Sequence, residues 1–599
     1  MKLSKLSFAV ATALTASVTT SAFALDLYVD TKTKQIFAEP GKGRQKMGAF
    51  EKVEESTHTT TTHSSNFVNQ EHAIQATESE KSEIEKIHHE LELKGNEIKA
   101  LEEHAKAAEE EGMVEIKKDG GIEFKSRDGN FKMAVNGRLQ IDSQANLNQS
   151  LPNSGGNTGI AENNPLGSGF QSGVAGMPAT LDNGAALRRA RIGVEGTFFK
   201  NTDYKFEYDF TRGNGLNAGG ITDAYVRQNF SKPFSVKFGA FKEPFSMEEA
   251  TSNRYITFIE RNMSTNTFVD NLNTYKVGIG ANWVEERWQA GTSFQTEGIG
   301  GYNNAYGSNN KFDSATTGSA IGVNGGVNRS GGGGDTSWEA NARLTGLPWM
   351  ESKTKFLHVG ASGSYININN NYKADGSFSN GGVVFANGIG TNVDRTGILS
   401  TANLTCTTAV TTTTKAAAGT AAAVNNVSAS TCPSGFGTRE ADYLTRFGAE
   451  SALVYGPFSA QGEYIRTDVS GKGYANETLD GYYGYATYFL TGESRAYKGS
   501  TGAWDRIKPN RNFDLKGGLG AWELKGGYDY IDLNDGVIKG GQVSTAKFGI
   551  NWYPNQHVRV MADYLHALDI NTNVAGSTAA KAFNNADLDV IETRVQLDW

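Results

Sequence analysis

The chain has 599 residues, with 71 glycines, 11 prolines, 23 tyrosines, 31 phenylalanines and 38% hydrophobic residues. One soluble core of this length would normally be divided into domains, whereas a large barrel with a polar interior and long loops has this composition. The net charge of −8 does not favour a nucleic-acid-binding protein.

The N-terminus has the order of a secretory signal peptide, which we predict to be residues 1–24. Lys2 and Lys5 precede the apolar run 6–18, and small residues follow at Ala22 and Ala24. The run is shorter than the ~20 residues that a membrane-spanning helix needs. The chain is therefore expected to be exported.

Both cysteines of the exported chain, Cys406 and Cys432, lie in one low-complexity segment rich in threonine and alanine. In an oxidising compartment this pair is expected to form a loop disulfide. Two unpaired loop thiols are the alternative.

Residues 25–77 are predicted to be a periplasmic linker, and residues 78–111 an α-helical coiled coil. Apolar residues recur there at alternating spacings of three and four. They include Ile84, Ile87, Leu91, Ile98 and Leu101. Isoleucine at both seam positions of the first heptad favours three strands. A single solvated helix is the alternative, because the seam is interrupted at residues 94 and 95.

After a second linker, residues 112–130, the pattern changes to period two and continues from 131 to 599. Apolar and polar residues alternate in sixteen segments, from 131–147 to 588–599. The last segment alternates Ile591, Val595 and Leu597 with charged residues and ends on Trp599. An even number of such strands, joined by alternating short and long connections, predicts an all-β, 16-stranded antiparallel transmembrane barrel. The connection 491–520 breaks the rhythm, because it is long where a short turn is expected.

The third long connection, residues 242–272, is the best candidate for narrowing the barrel. It contains little glycine and interleaves apolar with charged residues, which suggests that it packs against the inner wall. Lys242, Arg254 and Arg261 would then project into the channel. Alternatively, these residues only pair with nearby glutamates along a short helix.

Several ungapped motifs in residues 130–599 resemble the phosphate-selective porin O/P family. They are ALRRARIGVEG, AYVRQNFSKPF, KFGAFKEPFSMEEATSNRYITFIERNM, GYATYFLTGE, GAWELKGGYDY and NWYPNQHVRVMADY. The resemblance implies a sixteen-stranded trimeric outer-membrane porin whose third loop folds inward and whose anion path is an arginine ladder leading to a lysine and arginine site.

By this resemblance, Arg188, Arg189 and Arg191 correspond to part of the basic track, and Lys242 and Arg261 to constriction positions. The strand alternation itself places Arg189 and Arg191 on the inner face, but not Arg188.

We therefore expect an outer-membrane porin, with its N-terminal stalk in the periplasm, for passive diffusion of small inorganic anions, phosphate or related oxyanions among them. The expected partners are outer-membrane lipid, two further copies in a homotrimer and, through the coiled coil, peptidoglycan. No cofactor, metal, nucleic acid or catalytic residue is expected, since His358, His557 and His566 form no nucleophile signature. A general or cation-preferring porin and an envelope tether are the alternatives, because acidic residues are almost as frequent as basic ones on the inner face.

Overall fold

The computed structural model describes most of the chain from residue 70 onward, together with short segments before it. The described residues are 28–30, 36–37, 44–46, 70–110, 113–116, 122–126, 128–151, 181–211, 220–270, 275–298, 337–368, 370–372, 378–380, 383–391, 393–394, 396–406, 432, 437–572 and 583–599. The predicted signal peptide, residues 1–24, lies outside them.

Sixteen antiparallel strands form a closed barrel, which confirms the predicted fold class. They are β1 (Phe131–Ser150), β2 (Gly184–Phe198), β3 (Thr202–Asp209), β4 (Gly220–Asn229), β5 (Phe234–Lys242), β6 (Tyr275–Val284), β7 (Trp288–Gly298), β8 (Trp338–Ser352), β9 (Lys355–Asn367), β10 (Glu440–Tyr455), β11 (Phe458–Lys472), β12 (Glu477–Phe489), β13 (Ala521–Asp535), β14 (Ile538–Asn555), β15 (Val558–Asn571) and β16 (Asp587–Asp598).

The barrel closes where β16 pairs with β1, from Asp587 opposite Ser150 to Asp598 opposite Arg138. The terminal Trp599 continues this pairing, because its backbone exchanges two hydrogen bonds of 3.2 Å with Gly137. A Cβ atom at position 137 would lie 2.2 Å from the indole ring, so the ring needs a glycine beneath it. The aromatic end predicted for the last strand is thus fixed at the seam of the barrel.

The strands expose apolar side chains on their outer face, as a barrel surrounded by lipid requires. Ile192, Phe206, Phe238 and Ile279 are each more than 40% exposed on neighbouring strands. On each strand, the side chains that alternate with these apolar residues face the interior. In the half of the barrel nearer the short turns, these inward-facing side chains are mostly polar or charged. This alternation is the period-two pattern that the sequence predicted.

Before the barrel, the described residues contain short strands and one long helix. Tyr28–Asp30 pairs with Ile36–Phe37 and with Arg44–Lys46 in a small antiparallel sheet, within the segment predicted to be a linker. Helix α1 (Gln70–Glu110) begins eight residues before the predicted coiled coil. Its association with other copies stays a prediction. Among the described helices, none is both long and apolar enough to cross a membrane.

A hairpin of Met113–Ile116 and Ile122–Lys125 follows the helix, in the segment predicted to be the second linker. Its second strand pairs with the beginning of β1, from Ile122 opposite Val135 to Lys125 opposite Lys132. The hairpin therefore extends the sheet at the start of the barrel without adding a seventeenth strand to the closed wall.

The connections follow the predicted rhythm of short turns and long loops, with one exception that was also foreseen. Between β12 and β13 the chain takes an unusually long turn, residues 490–520, and no strand of the wall was missed there. This turn contains a two-stranded piece, Tyr497–Lys498 paired with Ala503–Trp504. In the fifth loop, which connects β9 to β10, Cys406 and Cys432 are joined by a disulfide with an S–S distance of 2.14 Å.

An apolar cluster fills part of the interior near the long loops, a feature that the sequence analysis did not predict. Inward-facing residues of β9–β16 contribute to it, including Ile366, Leu444, Ile465, Leu479, Ile531, Val543 and Leu588. The fifth loop covers them with Val383, Phe385, Ile398 and Leu399, and all of these side chains are fully buried. The lumen on this side is therefore occupied by protein.

Candidate functional site

The third loop, residues 243–270, lies inside the barrel and contains two short helices, α2 (Met247–Ala250) and α3 (Met263–Phe268). Its backbone is bonded to inward-facing side chains of the far wall. The amide of Ile259 donates to Asp563 on β15 at 2.8 Å, and the amide of Met263 donates to Asp529 on β13 at 2.7 Å. A loop anchored in this way is held across the lumen.

Cations of the far wall complete this anchoring by donating to loop carbonyl groups. Arg559 donates to the carbonyl oxygens of Ile256 and Thr257 at 2.7 and 3.0 Å, and Lys525 also donates to Thr257 at 2.9 Å. Phe258 of the loop packs edge-on against Tyr485 of β12, with ring centroids 5.7 Å apart. The apolar content noted in the sequence therefore packs against the inner wall.

A β-bulge in β2 brings two consecutive arginines to the inside of the barrel. Gln140 of β1 pairs with Arg189, but the next residue pairs with Leu187, so Arg188 is the extra residue. A bulge inserts one residue and interrupts the alternation of faces. The prediction that Arg188 faces away from the lumen was therefore wrong, since alternation assumes a regular strand.

Both arginines point to one carboxylate of the third loop, Glu260. Arg188 holds it with two hydrogen bonds of 2.8 and 3.0 Å, and Arg189 lies at 3.6 Å. A third cation, Arg594 of β16, contacts Glu260 at 2.7 Å and also binds Asp142 at 2.6 Å. Glu260 thus connects the loop to three guanidinium groups of the wall.

A second group of ion pairs surrounds Glu207 on β3. Its carboxylate accepts hydrogen bonds from Arg138 at 2.5 Å and Arg191 at 2.9 Å, and Arg254 of the third loop lies at 3.8 Å. Arg191 also binds Asp209 at 2.7 Å. These side chains are mostly buried, so ion pairing fixes their geometry.

The remaining predicted residues, Lys242 and Arg261, meet at Glu249 of the third loop. Lys242 forms a short ion pair with Glu249 and keeps its side chain 22% exposed. Arg261 lies 3.0 Å from Glu249 and 3.5 Å from Asp270, and its side chain is only 2% exposed. It also donates to two carbonyl groups of the loop. Lys242 therefore borders open space, whereas Arg261 is enclosed by the loop.

Positive charge exceeds negative charge among the ion pairs around Glu260 and Glu207. The guanidinium groups outnumber the carboxylates by two in a group that comprises Arg138, Arg188, Arg189, Arg191, Arg254, Arg594, Asp142, Glu207, Asp209 and Glu260. We call this set the arginine cluster. The period-two alternation of β1 and β16 agrees with inward-facing side chains at Arg138 and Arg594, but alternation alone could not group them with the loop.

The long turn 490–520 enters the barrel from the other end and also contacts the third loop. Arg495 donates to the carbonyl of Tyr255 at 2.8 Å and binds Glu523 on β13 at 2.8 Å. Trp504 is 2% exposed and contacts Gln461 on β11. This turn was predicted only as an exception to the loop rhythm, and its inward course had no signal in the sequence.

The interior is therefore filled unevenly. Inward-facing side chains of β8–β16 are buried almost throughout, under the fifth loop at one end and the long turn at the other. On β3–β5, in contrast, Glu207, Asp209 and Thr222 are buried but other inward-facing side chains remain half-buried; these are Asp203, Lys205, Asp223, Tyr225, Arg227 and Lys237. The accessible part of the lumen thus borders β3–β5.

Comparison with known proteins agrees with this architecture. The family model described as Phosphate-selective porin O and P matches residues 166–599, most of the barrel. The chain belongs to this family. Porins of this family are outer-membrane channels, so the barrel is an outer-membrane porin, and the resemblance expected from the motifs is confirmed.

Among its relatives, Porin O of Pseudomonas aeruginosa is 26% identical over 483 residues, which cover 78% of this porin and 91% of the relative. A protein of Caulobacter vibrioides is 24% identical over 491 residues, which cover 81% of this porin and 77% of that protein. Among solved structures, OmpT of Vibrio cholerae aligns with a TM-score of 0.40 and 9% identity, over 78% of this porin and 98% of OmpT.

Proposed function

We propose that this porin passes small anions, with phosphate and related oxyanions as preferred solutes. The constriction would lie between the third loop and the wall formed by β1–β5. The observation that carries the proposal is the arginine cluster, in which guanidinium groups exceed carboxylates by two. A local excess of positive charge at a narrow passage attracts anions even when the whole chain is negative.

The cluster residues would have distinct roles in the path. Arg188 keeps 17% of its side chain exposed and Arg254 keeps 13%, so both can contact a passing ion. Arg189 and Arg191 are more deeply buried and would contribute mainly through their field. Lys242 would supply a further ammonium at the start of the loop, and Arg261 would hold the loop in place.

The mechanism that follows is passive diffusion with weak binding. An anion would lose part of its hydration at the constriction and gain charge-assisted hydrogen bonds from guanidinium donors. The paired carboxylates lower the affinity of this binding site for anions, because each carboxylate repels the anion while it attracts the arginine. Binding that is favourable but shallow allows the ion to leave.

Variants at the bulge test the proposal in planar lipid bilayers. The double variant Arg188→Gln/Arg189→Gln is expected to shift the zero-current potential in a chloride gradient toward cation preference and to weaken the block of chloride current by phosphate. Removing two unit charges near the path costs an anion about 1 kcal/mol each even in a water-like medium. Unchanged selectivity and block in this variant would contradict the proposal.

A general or cation-preferring porin is the second candidate, and the extensive ion pairing favours it. Glu260 and Glu207 each contact more than one arginine, so most of the basic charge near the loop is compensated. If compensation is complete at the path, the pore will discriminate by size alone. The same bilayer experiment separates the two candidates, since only the anion channel is blocked by phosphate.

We also propose that the porin assembles as a homotrimer joined by a coiled coil of α1. The predicted seam residues Ile84, Ile87, Leu91, Ile98 and Leu101 are each more than half exposed on a single copy. Association of three helices would remove this apolar surface from water. In this arrangement the stalk would also contact peptidoglycan. Loss of envelope integrity on deletion of residues 25–112 would support it, and unchanged integrity would argue against it.

A further inference from the structure

The outer face of the barrel carries three side chains of the types that bind metal ions, close to the long loops. His566 on β15 lies directly opposite Asp589 on β16, and Asp587 is two residues before Asp589 on the same face of β16. One imidazole nitrogen and one oxygen of each carboxylate all lie within 4.8 Å of one another. The Nδ1 atom of His566 is 2.8 Å from the carboxylate of Asp589. We call these three residues the His–Asp–Asp group.

Two neighbouring side chains hold the carboxylates of this group in place. The hydroxyl of Tyr564 donates to Asp589 at 2.6 Å, and the amide of Asn148 on β1 donates to Asp587 at 3.0 Å. Asn148 lies opposite Asp589 because of a bulge, at which β16 skips one residue of β1. Donors of this kind orient the ligands in metal sites. The group is therefore oriented by side chains of the same sheet.

The carboxylates of the group have no strongly basic partner. Within the part of the chain that the structure describes, no lysine or arginine nitrogen lies within 4.0 Å of Asp587 or Asp589. On the inner face, in contrast, each carboxylate of the arginine cluster is bound by at least one guanidinium group. Two carboxylates at this separation repel each other, and a cation bound between them would remove the repulsion.

From this arrangement we propose that the His–Asp–Asp group binds a divalent transition-metal ion, with Zn²⁺ as the ion that fits best. One imidazole nitrogen and two carboxylate oxygens are ligands of zinc, whereas Ca²⁺ and Mg²⁺ take oxygen ligands. Two ligand atoms of a tetrahedral zinc ion are roughly 3.4 Å apart, so a small rotation of the exposed Asp587 side chain completes the geometry. The ion would replace the proton between His566 and Asp589.

The position of the group indicates what the ion would do. Its ligands come from β15 and β16, and Asn148 connects them to β1, so the site lies where the barrel closes. The long loops of such barrels face the cell exterior, which exposes the site to external metal ions. An ion that binds only the folded barrel stabilises it. The ion would therefore strengthen the seam, independently of which solutes the pore passes.

The test is a calorimetric zinc titration of the full-length protein in detergent. The variant His566→Gln is expected to bind one zinc ion fewer per chain than the wild type. Histidines before the barrel are the same in both proteins, so the difference reports on the His–Asp–Asp group. His557→Gln is the matched control, because it removes a histidine from a short turn at the other end of the barrel. Equal numbers of bound zinc ions in the wild type and His566→Gln would overturn the proposal.

Two further measurements separate a metal site from a fault in folding. Asn148→Ala keeps all three ligands but removes an orienting donor, and zinc binding should weaken about tenfold or more. The unfolding temperature of the wild type should rise with added zinc more than that of His566→Gln. The same rise in both proteins, or displacement of zinc by excess Ca²⁺, would contradict the assignment. Asp587→Asn, at an exposed position, gives the same readout if His566→Gln does not fold.

Discussion

Replacing Glu260 by glutamine should make the pore more anion-selective. Its carboxylate is the shared partner of Arg188, Arg189 and Arg594. Glutamine has nearly the same shape and keeps a carbonyl oxygen that can accept from Arg188, while Arg594 retains Asp142 at 2.6 Å. The substitution therefore removes one negative charge with little change in packing.

The expected magnitude follows from the position of the charge. The arginine cluster has two guanidinium groups in excess, and the variant raises this excess to three. At a separation of about 4 Å, one unit charge changes the energy of an ion by about 1 kcal/mol in bulk water and by about 4 kcal/mol at an effective dielectric constant of about 20. The charge acts on anions and cations with opposite signs, so the smaller value already corresponds to about a thirtyfold change in the ratio of anion to cation permeability.

The assay is the zero-current potential of the purified protein in a planar bilayer with a potassium chloride gradient. Glu351→Gln is the matched control, because Glu351 carries the same charge but its side chain is 58% exposed at a turn outside the lumen. The shift in zero-current potential caused by Glu260→Gln should become smaller as the salt concentration rises, since dissolved ions screen the charges of the arginine cluster. A potential equal to that of the wild type at low salt would refute the assignment of Glu260 to the path.

Three further predictions follow from the same contacts. Lys242→Ala should weaken phosphate block without disturbing the loop, because Lys242 is partly exposed, and single-channel records should remain quiet. Arg261→Ala should instead mobilise the third loop, since breaking a buried ion pair costs about 3–5 kcal/mol. Noisy conductance and faster protease cleavage within the loop would reveal this mobility, and quiet channels would contradict it. Ile87→Cys should form disulfides between copies on mild oxidation, whereas His89→Cys, on the opposite face of α1, should not; equal crosslinking would exclude the coiled coil.

The barrel could be predicted from the sequence because each strand faces lipid on one side and polar interior on the other. This contrast gives the period-two pattern, and it located all sixteen strands within a few residues. The pattern was less informative at the long-loop ends. There β11, β12 and β14 extend beyond the segments predicted for them, 458–467, 481–490 and 541–553. The inward-facing Ile465, Leu479 and Ile531 are apolar because the fifth loop covers them. A strand that is apolar on both faces carries no alternation to detect.

The site could be predicted only in part, because it depends on contacts between distant segments. Alternation placed Arg189 and Arg191 correctly on the inner face, but the bulge that turns Arg188 inward depends on the register with β1. The role of Glu260 as a partner of three arginines depends on how the third loop crosses the lumen.

The most direct test of the central claim is the ion selectivity of the purified full-length porin in a planar bilayer under a chloride gradient, followed by titration with phosphate. We predict a zero-current potential with the sign that anion selectivity gives, and a chloride current that falls as phosphate occupies the constriction. A cation-selective or non-selective pore that is indifferent to phosphate would contradict the anion path and leave a general porin.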